Sequence, residues 1–236
     1  MNPHKLIIHL CLCVIVVFVS TKISFPKQPV GGRLAIVVDE RLSVLRAEPQ
    51  LTGRIVKRLS RGRLVAIRGS RTTSDGVIFY LVNVTNRTHG WIQREAVVSA
   101  KHRGDDRRLV ELINLSHGFD RIIRARLFLD HFPRSPLRPQ VLLLLGSTAE
   151  EQAAKLSRDA AKRLNGTTGD APEFTFFLNY SGLDRYNRQR VGFIFNQSTK
   201  RFHYDGAAWR ELARRHPNSP DAVEARKRLA QLSELK

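Results

Sequence analysis

The sequence predicts a multidomain α+β protein in which a small all-β barrel precedes a mainly α-helical, repeat-like region. Short apolar stretches separated by turn residues run from about residue 33 to residue 100, which is typical of a small barrel. From residue 105 onward, apolar residues recur at three- and four-residue steps, which indicates amphipathic helices. An apolar run near the N-terminus is separate from both parts.

Residues 1–26 predict a signal peptide or an uncleaved signal anchor. Residues 6–19 are apolar apart from His9, follow a short basic start and end in polar residues. That run is shorter than the roughly 20 residues that a membrane span needs. The segment 6–25 remains a candidate membrane anchor, because no small-residue cleavage site follows the run. Residues 27–32, which contain Pro and Gly, are interpreted as a linker.

The composition limits the classes of function. Lys and Arg total 40 against 21 acidic residues, and the formal net charge of +19 favours anionic partners. Both cysteines, Cys11 and Cys13, lie in the N-terminal apolar run, so the body has no thiol nucleophile, disulfide framework or zinc-binding cysteine pattern. Phosphate-binding loops, nucleophile elbows and metalloprotease motifs are absent from the sequence. We therefore expect no enzyme activity, no cofactor and no metal.

The barrel is predicted over residues 33–100 from its strands. Asp75-Gly76 is a tight-turn signal ahead of a strand at 79–84, in which alternation places Tyr80, Val82 and Val84 on one face. The other predicted strands cover residues 34–38, 42–46, 55–56, 64–67, 91–92 and 96–98.

The same residues resemble the bacterial SH3-like domain family. The ordered motifs of that family appear as LSVLRAEP at 42–49, VKRLSRGRLV at 56–65, FYLV at 79–82 and GWIQREAV at 90–97. Two features depart from the family pattern. One residue is inserted before Arg46, and Phe79 stands where Trp is usual. The resemblance implies an extracytoplasmic binding module, often for wall peptide or glycan, with its binding groove between loops.

The resemblance also implies where a ligand would bind. It supplies four candidate binding residues: Phe79, Tyr80, Trp91 and Arg46. Solvation is the alternative for Arg46. For Trp91 we favour the alternative of core packing against Ile92 and Val97.

The helical region is predicted over residues 105–236, with an irregular insert at 166–204. One helical run covers 105–132 and ends at Pro133, with Gly118 as its weak point. A second run starts near Pro136 and ends at Asn165-Gly166. The insert carries apolar, strand-like stretches at 174–178 and 191–195, and two short helices follow it. His117 and Asp120 are interpreted as a solvated helix face and not as metal ligands.

Two junctions between helices, FLDHFPRSP at 128–136 and LARRHPNSPDAVEA at 212–225, resemble those of tetratricopeptide-like repeats in bacterial envelope proteins. In each junction, one Pro ends a helix, Ser caps the next helix and a second Pro begins it. The resemblance implies protein binding or assembly without catalysis.

These observations predict a non-catalytic cell-envelope binding or scaffold protein, either in the periplasm, secreted or anchored in the inner membrane. Its expected partners are a cell-wall peptide or glycan, or an envelope protein. Two alternatives remain open: an accessory or regulatory subunit of a cell-wall hydrolase, and a charge-driven binder of anionic polymer or nucleic acid. The export segment argues against nucleic acid.

Overall fold

The computed structural model describes residue 29, residues 31–165 and residues 182–234. It confirms the α+β class, because an antiparallel sheet of seven strands precedes the helices. A short 3-10 helix, Arg94–Ala96, joins the last two strands. The strands are β1 (Arg33–Val37), β2 (Val44–Arg46), β3 (Ile55–Arg58), β4 (Leu64–Thr72), β5 (Ile78–Asn83), β6 (His89–Gln93) and β7 (Val97–Val98).

One face of the sheet, here called the inner face, surrounds a core made by the sheet itself. Alternate residues of six strands meet there, together with Leu59 from the connection between β3 and β4. Because no α-helix contributes to this core, and only Ala96 of the 3-10 helix joins the strand residues in it, the sheet must curve around it. The strand order is β3-β2-β6-β5-β4-β1-β7, so β3 and β7 are the two edges and the sheet is open in the described residues.

The helical half begins with α1 (Asp105–Asn114) and α2 (Gly118–His131). The single run expected over residues 105–132 is therefore two helices. The Ser116 hydroxyl donates a hydrogen bond to the Leu112 carbonyl oxygen, and His117 is extended. Gly118 then has a φ of 56°, a left-handed conformation that glycine tolerates and that breaks the helical path.

The remaining helices are α3 (Arg138–Asn165), α4 (Gly182–Arg188), α5 (Ala207–Arg215) and α6 (Pro220–Glu234). The junction between α5 and α6 has the expected form, because Pro220 is the first helical residue and the Ser219 hydroxyl oxygen accepts a hydrogen bond from the Ala222 N–H. At the earlier junction, α3 begins two residues beyond Pro136, after a turn.

The insert contains α4 and a hairpin of β8 (Phe193–Asn196) and β9 (Arg201–Tyr204). The strand expected at 191–195 is thus present with shifted ends, and the stretch at 174–178 lies outside the described residues. The hairpin is held against α3, because Tyr204 donates its N–H to Glu150 and Phe202 donates its N–H to Ser157.

The sheet and the helices share a second core. Ile36 of β1 and Val98 of β7 point away from the inner face and join the buried residues of α1 and α2. Two ion pairs cross the same boundary: Arg61 to Asp120 at 3.0 Å and Arg124 to Asp39 at 3.9 Å. The helices therefore cover the outer face of the sheet, opposite the inner face, at the edge formed by β1 and β7. Farther across that face, the side chains of Arg46, Leu81 and Trp91 remain partly exposed.

Candidate binding surface on the outer face of the sheet

The part of the outer face that the helices leave open carries a row of side chains across five strands. Arg46 of β2 lies directly opposite Ile55 of β3 on one side and Trp91 of β6 on the other. Trp91 is in turn opposite Leu81 of β5, which is opposite Gly69 of β4. Directly opposed residues of an antiparallel pair share a face. These five residues are called the Trp91 row.

The Trp91 row combines apolar surface with one cation. Ile55 is 49% exposed, and the side chains of Arg46, Trp91 and Leu81 are half-buried. At Gly69, a Cβ atom would find no heavy atom within 4 Å, so the row ends in open space beside Leu81. The row therefore offers the indole of Trp91 to a solute, with a guanidinium group on one side and room on the other.

The conformation of Arg46 is fixed by the hairpin that carries it. Its Nη1 donates a 2.8 Å hydrogen bond to the Gly53 carbonyl oxygen in the turn between β2 and β3. A guanidinium group has five N–H donors, so this bond orients the group and leaves donors for a carboxylate or another anion.

Gly90 explains how β2 and β6 approach closely enough to form the row. A Cβ atom at this position would lie 2.6 Å from the Arg46 carbonyl oxygen and 2.9 Å from Leu45. Any larger residue would therefore push β2 away from β6. The glycine ahead of Trp91 in the sequence motif thus has a structural reason.

The structure brings two of the four candidate residues together, Arg46 and Trp91. Tyr80 points to the inner face and is 8% exposed within the inner core, with the Arg33 guanidinium 5.9 Å from its ring centroid. Phe79 points to the outer face, two residues before Leu81 on β5, and its side chain is fully buried. Neither Tyr80 nor Phe79 presents the exposed aromatic surface that Trp91 does.

The expected core packing of Trp91 against Ile92 and Val97 is not present. Both aliphatic residues belong to the inner core, whereas Trp91 lies on the opposite face of β6. Successive residues of a strand point to opposite faces, so Trp91 and Ile92 cannot share a core. Sequence reasoning also missed Ile55 and Leu81, although the alternation along β5 and β6 places Leu81 on the face of Trp91.

The described residues contain neither a candidate metal site nor a membrane-spanning helix. Within residues 31–165 and 182–234, no three His, Cys, Asp or Glu side chains are grouped so that they could hold a metal ion. No helix of these ranges has the length and apolarity of a membrane span. The candidate anchor at 6–25 lies outside them.

Comparison with known proteins gives no relative: no protein-family model, no curated protein and no solved structure matches this chain.

Proposed function

We propose that this chain is a non-catalytic binding or scaffold protein of the bacterial cell envelope. In this proposal, the sheet is an SH3-like barrel that binds a wall component or a protein partner through the Trp91 row, and the helices mediate protein–protein interaction. The observation that carries the proposal is the placement of a half-buried Trp beside an oriented Arg on an uncovered sheet face.

The positions of the sequence motifs support an SH3-like barrel. The motif at 42–49 includes β2, and the motif at 56–65 runs from β3 into β4. The motif at 79–82 lies within β5, and the motif at 90–97 spans β6, the 3-10 helix and the start of β7. Each motif thus contributes to at least one strand, and together they cover parts of six of the seven strands, all but β1.

The chemistry of the Trp91 row suits wall peptide and glycan. An indole offers a large, rigid apolar surface at low conformational cost, on which the apolar face of a sugar or an aliphatic side chain packs. The guanidinium of Arg46 binds carboxylates, which such peptides carry. Ile55, on the neighbouring edge strand, extends the apolar surface.

A pull-down of purified peptidoglycan by the full-length protein tests the proposal. We expect binding that persists at about 0.5 M salt, because contacts made by apolar packing are not screened as surface charges are. Trp91→Ala should reduce binding about ten-fold or more, a loss of the size found when an aromatic anchor is removed. Retention of binding by Trp91→Ala would reject this surface.

Leu34→Ala is the matched control for that variant. Leu34 also carries an exposed apolar side chain on the outer face, 40% exposed, but it lies on β1 and outside the Trp91 row. Its substitution should leave binding unchanged. Circular dichroism should show that both variants retain the native fold.

The charge of the chain favours a second candidate, a binder of anionic polymers. The formal net charge is +19, and Arg54, Lys57 and Arg58 are all exposed on or beside the edge strand β3. Binding of this kind decreases steeply with salt. Loss of peptidoglycan binding near 0.2 M salt, to the same degree in the native protein and in Trp91→Ala, would favour this candidate.

A further inference from the structure

A groove lies on the boundary between the sheet and the helices, away from the Trp91 row. One wall is the segment 100–104 that connects β7 to α1, together with Asp106. The other wall is residues 131–136, from the end of α2 through its connection to α3. The volume of this open groove is about 760 Å³, within the range of sites that hold a substantial ligand. It is called the basic groove here.

The rim of the basic groove is cationic. Lys101, Arg103 and Arg134 are exposed, and the structure gives none of them an ion pair within the residues that it describes. The one carboxylate that lines the groove, Asp106, accepts a 2.7 Å hydrogen bond from the Ser135 hydroxyl. The rim thus carries three positive charges against one negative charge, and it favours an anionic ligand.

The walls of the basic groove are fixed relative to one another. The bond from Ser135 to Asp106 joins the two walls directly. On the first wall, His102 Nδ1 lies 3.1 Å from the buried carboxylate of Asp105, which also pairs with Arg108 at 3.3 Å. A groove held in this way needs little reorganisation when a ligand enters it.

The groove is not lined by charge alone. Ala100, Pro133 and Pro136 contribute exposed apolar surface between the cations, and Phe132, which is only 6% exposed, lines the groove beside them. Phe132 is anchored from below, because its ring stacks on Phe128 with centroids 5.3 Å apart. A purely ionic polymer would leave this surface unused, whereas a peptide with both acidic and apolar side chains would use both parts.

We propose that the basic groove binds an extended acidic peptide segment of a partner protein, with carboxylates at the rim and apolar side chains against Ala100, Pro133 and Pro136. The inference names the docking site and the chemistry of the partner, and it rests on the protein-docking part of the proposed function. It does not depend on the Trp91 row.

The test measures binding of fluorescein-labelled hexapeptides to the full-length protein by fluorescence anisotropy at 0.15 M salt. The probe alternates Glu and Leu. Hexaglutamate, an alternating Lys and Leu peptide and a short inorganic polyphosphate serve as comparison ligands. We expect the Glu and Leu peptide to bind about five-fold or more tighter than hexaglutamate, because only it covers the apolar surface. The Lys and Leu peptide should not bind.

Two charge-reversal variants decide whether the basic groove carries this binding. The groove variant combines Lys101→Glu, Arg103→Glu and Arg134→Glu. The control variant combines Arg68→Glu, Arg71→Glu and Arg87→Glu, which reverse the same number of exposed charges on β4 and in the turn between β5 and β6. The groove variant should bind the peptide about ten-fold or more weakly, and the control should stay within about two-fold of the native protein. A milder version with Gln at the three groove positions covers the case in which charge reversal disturbs folding.

Three results would overturn the inference: no binding of the Glu and Leu peptide by the native protein, equal losses in the groove and control variants, or polyphosphate binding as tight as that of the peptide. Trp91→Ala separates this inference from the binding surface on the sheet. It should leave peptide binding unchanged while it lowers peptidoglycan binding, so either result can fail without the other.

Discussion

His131 is the last residue of α2, and its imidazole is half-buried where the chain turns toward α3. Burial lowers the pKa of His131 below its usual value of 6.5 and outweighs the opposing effect of the neighbouring charge of Asp130. A position at the C-terminal end of a helix would also favour the protonated form. Desolvation is therefore the dominant influence on the pKa of His131.

Because of His131, the free energy of unfolding should decrease as the pH falls. In the unfolded chain His131 titrates near its usual pKa, so the neutral imidazole of the folded state contributes its full stabilisation above about pH 6.5. As the pH falls below 6.5 toward the lowered folded pKa, only the unfolded state gains a proton, and this contribution is lost. We expect His131→Gln to make the free energy of unfolding less dependent on pH between 7 and 5, as measured by urea denaturation.

The control for this measurement is His89→Gln. His89 is exposed on β6 and faces away from the inner core. Its substitution should leave the pH dependence as it is in the native protein. Equal slopes in the native protein and in His131→Gln would show that the burial of His131 has no consequence for stability.

At the scale of elements, the close contact between α3 and α5 depends on Gly146. This residue is buried in α3, directly beneath the indole of Trp209 from α5. Trp209 is 1% exposed, and its ring meets that of Tyr204 edge-on at 5.3 Å. The buried indole therefore has no space into which it could move if residue 146 carried a side chain.

Gly146→Ala should destabilise the protein, although alanine is the better helix former. A methyl group at this position would overlap the indole of Trp209. Overpacking of this kind costs about 1–3 kcal/mol, which exceeds the gain of about 1 kcal/mol from helix propensity. The expected net result is a lower midpoint of denaturation, measured by circular dichroism in urea.

Gly69→Ala gives the opposite expectation with the same chemical change. A Cβ atom at Gly69 meets nothing within 4 Å, so only the lower backbone entropy of the unfolded state acts, and the protein should gain about 0.5 kcal/mol. A destabilised Gly69→Ala, or a stabilised Gly146→Ala, would contradict the packing described for these two elements.

Local elements are predictable from this sequence where the pattern has a single physical cause. Alternation of apolar residues gives the strands of the sheet, and the Ser219-Pro220 pair gives the start of α6, because capping and a fixed φ act within one turn. The break at Gly118 is less visible, since apolar spacing continues across it. Only the hydroxyl of Ser116 and the left-handed φ of the glycine stop the helix.

The candidate surfaces are harder to predict because they join distant parts of the chain. Arg46 and Trp91 meet only because β2 and β6 are neighbours in the sheet. The two residues are far apart in the sequence, so the sequence does not reveal this pairing. Register shifts at Leu45/Arg46 and Ile67/Gly69 then decide which side chains share the row. The basic groove likewise combines a β-to-α connection with a junction that the sequence indicates only as a helix boundary.

At the scale of the whole molecule, the sheet and the helices are coupled through shared buried residues. Ile36 and Val98 are 3% and 1% exposed, and both lie in the core that contains the helices. Arg108 adds polar coupling, because its guanidinium donates hydrogen bonds to the Arg94 and Val97 carbonyl oxygens beside β7. Removing the helices would expose these apolar residues and leave these acceptors without their partner.

We therefore expect the sheet and the helices to unfold in one cooperative transition, although the sequence suggests two domains. The two tryptophans provide one probe for each half: Trp91→Phe leaves Trp209 to report on the helices, and Trp209→Phe leaves Trp91 to report on the sheet. Within each variant, fluorescence and far-ultraviolet circular dichroism should give the same urea midpoint, as a two-state transition requires.

Ile36→Ala tests whether the shared core is the cause of this coupling. Truncation of a buried Ile costs about 2–5 kcal/mol, and because Ile36 lies on the sheet but packs with the helices, this loss should lower the midpoints of both probes together. Leu34→Ala, at a 40% exposed position on the same face of β1, should move neither midpoint appreciably. If Ile36→Ala lowers the midpoint reported by Trp91 and leaves that of Trp209 in place, the two halves fold independently and the shared core does not join them.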